Sequence, residues 1–178
     1  MKLKLLLLTL SLYSCGSGLC DNAEFVTKQG ICVNTDGNSV DKSQVDFIID
    51  VIEEGTVKYS GYSESELQEP YGDTRIAFRQ EIDHGWTGET EYHKGIFVND
   101  EYKVRLVYNE CLTYSALYHE LLHVYLIHLE GNDTHERGWF KKADMSSDEI
   151  KQTLEYNLFR RIYCELCPGP QPNFPICD

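Results

Sequence analysis

The sequence predicts an α+β domain in which a small mixed or antiparallel sheet packs on several helices. Three observations carry that prediction. Apolar residues recur at helical spacing in two stretches, Val45 to Ile52 and Ile150 to Ile162, and fill a third stretch, Leu117 to Ile127, almost continuously. Between the first and third of these, short segments alternate apolar and polar residues as half-buried strands do. Roughly 160 residues follow an apolar leader, enough for one domain with a sizeable core.

The leader comes first. Met1, Lys2, Leu3 and Lys4 precede an apolar run from Leu5 to Leu12, too short to span a bilayer and of the form of an export signal. Leu12-Tyr13-Ser14-Cys15-Gly16 has the layout of a bacterial lipobox, so residues 1–14 are expected to be removed and Cys15 to carry a lipid anchor. The product would then sit in the bacterial cell envelope as a membrane-anchored lipoprotein, or be secreted if the anchor is absent. Residues 15–38 show no periodicity and are expected to act as a tether, with the folded domain spanning 39–178. An even set of six cysteines then remains (Cys20, Cys32, Cys111, Cys164, Cys167 and Cys177), which in an exported chain suggests three disulfides. Cys20 is expected to pair with Cys32, and Cys111 with the C-terminal cluster.

Val45, Ile48, Ile49 and Ile52, widened by Phe47 and Val51, predict a packing helix between Val40 and Glu54. Residues 61–90 are rich in Gly, Ser, Glu and Asp and read as loop with one short strand at Thr74 to Phe78; His84 and His93 are read as solvated. Gly95 to Val98 and Tyr102 to Tyr108 predict a hairpin about Asn99, Asp100 and Glu101. The apolar helix follows, and Gly131 is placed to end it in a left-handed cap near Glu130. Ser146 to Glu149 is a capping box, with Ile150, Leu154, Leu158 and Ile162 continuing at helical spacing, so a last helix is expected from about Ser147 to Cys164.

Within the apolar helix stands His119-Glu120-Leu121-Leu122-His123. Two histidines four residues apart lie one turn above each other, so both imidazoles reach one ion while the glutamate between them reaches a water on that ion. Zinc keeps a position open for water and lowers its pKa toward neutrality, which makes Glu120 the candidate general base. Buried polar groups at these positions would be costly without a partner, and a cation supplies one. A third ligand is required. His128 falls about 160° from the mean direction of His119 and His123 on a helical projection and cannot join them. His135, returning after the Gly131 turn, is the expected third ligand, with Glu149 and Asp133 as alternatives. Trp139 and Phe140 are expected to lock the His135 loop onto the core.

The stretch HELLHVYLIHLEGNDTHERGWF, from His119 to Phe140, resembles the SprT-like branch of the zincin metalloproteases, with matching positions at His119, Glu120, His123, Gly131, His135 and Trp139. That resemblance implies a zincin-like fold, Zn2+ held by His119, His123 and His135, and peptide hydrolysis with Glu120 as base. It also implies that one strand of the sheet borders the cleft, where an extended substrate can add to the edge. The metzincin pattern is excluded, since Leu126 and Leu129 stand where that family has glycine and histidine. The C-terminus departs from SprT proteins, with one Cys164-Glu165-Leu166-Cys167 pair and a lone Cys177 in place of a zinc ribbon.

The formal charge of -13 argues against a nucleic-acid partner, because phosphate backbones are bound through clustered Lys and Arg. The expected partner is a peptide or protein substrate, and the expected state a monomer. Two functions stand side by side: an exported zinc metallopeptidase, and a disulfide-braced envelope protein that binds zinc without catalysis. Glu120 discriminates them, since a binding module has no need of a base.

Overall fold

The computed structural model describes residues 20–80, 88–93, 101–107, 110–132, 138–142 and 144–167. Strands β1 (Phe25–Val26) and β2 (Cys32–Asn34) precede helix α1 (Lys42–Ser60), a short helix α2 (Glu64–Gln68) and a 3-10 turn over Glu69–Asp73. Strands β3 (Thr74–Arg79), β4 (Gly88–His93) and β5 (Glu101–Val107) follow, then helices α3 (Glu110–Glu130), α4 (Ser147–Ile150) and α5 (Leu154–Leu166). The fold is α+β with a five-stranded mixed sheet in the order β1-β2-β3-β5-β4. The strands β2, β3 and β5 run parallel, while β1 and β4 pair antiparallel at the two edges.

Alternation decides which face of the sheet is buried. Val33, Ile76, Phe78, Val104 and Leu106 all point to one side and are fully buried. Against them lie Val45, Ile48, Ile49 and Ile52 of α1, Leu117, Leu121, Leu122 and Val124 of α3, and Leu154, Leu158 and Ile162 of α5. Helix α1 begins at Asp41, whose carboxylate accepts from the Ser43 amide at 2.7 Å. Helix α3 ends as its sequence predicts, at Glu130, with Gly131 at φ 71° and its amide donating to the Ile127 carbonyl at 2.9 Å.

Three expectations are corrected. Residues 25–34 are not tether: β1 and β2 join the sheet, because Ile31, Cys32 and Val33 are buried and β2 completes the backbone pairing of β3. Residues 88–90, read as the end of a loop, open strand β4, which pairs with β5 at the sheet edge; Gly95 to Val98, and with them the expected hairpin, lie outside the described residues. The single last helix is two, since Thr153 breaks it. The Thr153 hydroxyl donates to the Ile150 carbonyl at 2.7 Å and accepts from the Tyr156 amide at 3.2 Å, so its side chain caps a new helix rather than continuing the old one.

The Cys20–Cys32 disulfide is present, with Cα atoms 5.3 Å apart, and Cys164 and Cys167 are also disulfide-bonded. The expected tie of Cys111 to the C-terminal cluster, the leader and Cys15 lie outside what is described. Among the described residues, no helix is long and apolar enough to cross a membrane.

Candidate metal centre

Helix α3 runs beneath the sheet with His119, Glu120 and His123 on the side shared by β4 and α5. The Nε2 atoms of His119 and His123 converge to 3.2 Å. Two nitrogens bound to one tetrahedral zinc at ordinary bond lengths would be about 3.3–3.4 Å apart, so the pair is set at the separation a shared ion requires. His123 and Glu120 are buried, and His119 is partly open.

Each ring is held from behind. The His119 Nδ1 lies 3.0 Å from Glu155 Oε1, on the first turn of α5. The second oxygen of that carboxylate accepts from the Lys141 amide at 2.7 Å, and the Glu155 amide itself donates to the Trp139 carbonyl at 2.8 Å. Glu155 is thus buried yet satisfied at both ends. Burial pushes its carboxyl up, but the hydrogen bonds from His119 and the Lys141 amide outweigh that effect and hold it below the ordinary carboxylate range. Phe140, fully buried, stacks on His123 at a centroid distance of 4.9 Å and meets His119 edge-on at 5.0 Å. Trp139 packs edge-on against Tyr62 at 6.5 Å. Trp139 and Phe140 are thus seated in the core, and Phe140 braces both imidazoles; the His135 loop they are expected to lock lies outside the described residues.

Glu120 is positioned by the edge strand. The Thr90 hydroxyl donates to Glu120 Oε2 at 2.8 Å. At Gly88 a Cβ would stand 2.9 Å from Glu120 Oε1 and 3.1 Å from Leu106 Cδ2, so only glycine lets β4 lie this close to the carboxylate.

Of the other candidates, His128 points away, as the helical projection predicts: its Nδ1 is 3.2 Å from the Tyr102 hydroxyl and its Nε2 3.1 Å from Glu69 Oε2. Glu149 is taken up by its capping box, where Oε2 accepts from the Ser146 amide at 2.8 Å and from the Ser146 hydroxyl at 2.6 Å. His135, Asp133 and His84 lie outside the described residues. Among the described residues, no three His, Cys, Asp or Glu side chains converge on one point as a complete metal site. Glu155 and Phe140 were missed as site residues. The signal for Glu155 was available: it stands three and seven residues before Leu158 and Ile162, an acid on an apolar stripe, where burial demands a partner.

Comparison of the chain with family models, with curated proteins and with solved structures returns no match.

Proposed function

We propose that this chain is a zinc-dependent metallopeptidase of zincin type. The reading rests above all on one observation, the 3.2 Å convergence of His119 and His123 Nε2 beside the buried Glu120 carboxylate. His119, His123 and His135 would hold Zn2+, which when bound supplies Lewis acidity and an acidified water. The protein's own groups do the rest. Glu120, oriented by the Thr90 hydroxyl, takes a proton during attack on the peptide carbonyl and can return it to the leaving amine. The outer edge of β4, the last strand among the described residues, would offer backbone groups to an extended substrate, with Gly88 and Thr90 bringing that edge against the base. We place the enzyme in the bacterial cell envelope, anchored through lipid on Cys15, acting as a monomer on a peptide or protein substrate.

The presence of a held, buried carboxylate at 120 favours catalysis over a zinc-binding structural module. Comparison of Glu120→Gln with wild type tests this: the variant should retain zinc and lose peptide hydrolysis, since the ligands stay and the base goes. Equal cleavage of a peptide library by both proteins would exclude the mechanism.

A further inference from the structure

We infer that Glu155 is the positioning residue of the metal centre: its two carboxylate oxygens, 3.0 Å from His119 Nδ1 and 2.7 Å from the Lys141 amide, fix which nitrogen of His119 carries the proton and dock the 139–141 segment behind the histidines. The inference rests on the metal reading above.

An ionised carboxylate only accepts, so the proton of a neutral His119 stands on Nδ1 and the lone pair of Nε2 faces His123 Nε2. A metal ligand needs that lone pair free. The Lys141 amide is a second obligatory donor at the same group. Two donors thus meet one side chain, and a carboxylate alone supplies two acceptors. Glutamine is nearly isosteric but offers one acceptor and one NH2. If its oxygen serves Lys141, its NH2 faces His119 Nδ1 and drives the proton onto Nε2, the nitrogen meant for the ion. If its oxygen serves His119, the NH2 is set against the Lys141 amide and the segment carrying Phe140 is displaced. Either way, the two rings lose their common setting. The Thr153 cap, two residues before Glu155, opens α5 at Leu154 and so sets the buried Glu155 on its first turn.

The test compares metal-free wild type and Glu155→Gln, both labelled with 15N-histidine, at about pH 8, above the ordinary histidine range. Long-range proton–nitrogen NMR reads the tautomer, with the His119 signal identified by its loss in His119→Gln. Zinc affinity is measured by competition with a chelator. Wild type should show His119 protonated on Nδ1, whereas Glu155→Gln should shift population to the Nε2-protonated form and bind zinc about 10- to 100-fold more weakly. An Nε2-protonated His119 in wild type, or a variant with unchanged tautomer and affinity, would overturn the inference. Should Glu155→Gln not fold, the wild-type tautomer decides alone. A wild type that is protonated on Nδ1 but binds no zinc would overturn the metal reading, and with it the metal-positioning role, while leaving the Glu155–His119 geometry intact.

Discussion

Replacing Gly88 by alanine adds one methyl where β4 crosses the Glu120 carboxylate. The new carbon would lie 2.9 Å from Glu120 Oε1, 3.0 Å from its Cγ and 3.1 Å from Leu106 Cδ2. Ordinary contacts of this kind are about 3.5 Å or longer, so one side must retreat by roughly half an ångström. Leu106 is fully buried and cannot retreat freely, and β4 is tied to β5 through the register Gly88↔Leu106. The carboxylate yields most easily, turning away from Thr90. Overpacking of this size costs about 1–3 kcal/mol, or a fall in Tm of roughly 3–10 °C for a domain of this length. Displacement of the base costs more in rate than in stability: a shift approaching 1 Å at a catalytic group can remove about 100-fold, so peptide hydrolysis should fall between about 10- and 100-fold. Zinc affinity should hold, since the three atoms nearest the added methyl belong to Glu120 and Leu106 and not to either histidine. The assays are calorimetry, kcat/KM on a cleaved peptide and chelator competition. Wild-type stability and turnover in Gly88→Ala would show that the edge strand does not press on Glu120.

Other perturbations separate the parts of the account. Phe140→Ala removes a fully buried ring from behind both histidines and should destabilise the fold by about 3–5 kcal/mol in urea denaturation, with zinc binding weakened in the fraction that remains folded. His135→Ala should weaken zinc binding much more than His128→Ala, whose ring is engaged with Tyr102 and Glu69; the reverse order in chelator competition would refute the choice of third ligand. Hydrogen bonds from Ser63 and Ser146 hold the Glu66 and Glu149 carboxyls below their ordinary value of 4.5. Both carboxyls are lowered in the folded state, so their contribution is present above about pH 4.5 and lost as the pH falls through their folded values. Changing both to Gln should flatten the acid limb of a stability-against-pH curve. Breaking Cys20–Cys32 opens a short loop and should cost about 2–3 kcal/mol, read as a lower denaturation midpoint in Cys20→Ser/Cys32→Ser.

The elements with a strong period were readable before any coordinates. Helix α1, β3, β5 and α3 with its Gly131 cap follow from apolar spacing and one positive-φ glycine, and the His119–His123 pair follows from spacing on that helix. What escaped depended on tertiary partners. The strand β2 is only Cys32–Asn34, too short for alternation to register, and owes its pairing to β3. Edge strand β4 is Gly88–His93, in which one glycine and two glutamates dilute the strand preference of Thr90 and Tyr92; its inner face is set by Glu120 and Tyr102. The break before α5 hinges on a hydroxyl bond that a hydrophobic stripe cannot register. Glu155 is the instructive case, because its position on an apolar stripe pointed to a buried acid, but only the fold supplies the imidazole that answers it.

The central claim is that one ion is shared by His119 and His123. Anomalous scattering at the zinc edge, from crystals of the purified protein grown with equimolar zinc, tests it most directly. A single peak bonded to Nε2 of both residues is expected. Well-ordered density for both rings, with zinc bound elsewhere or not at all, would contradict it.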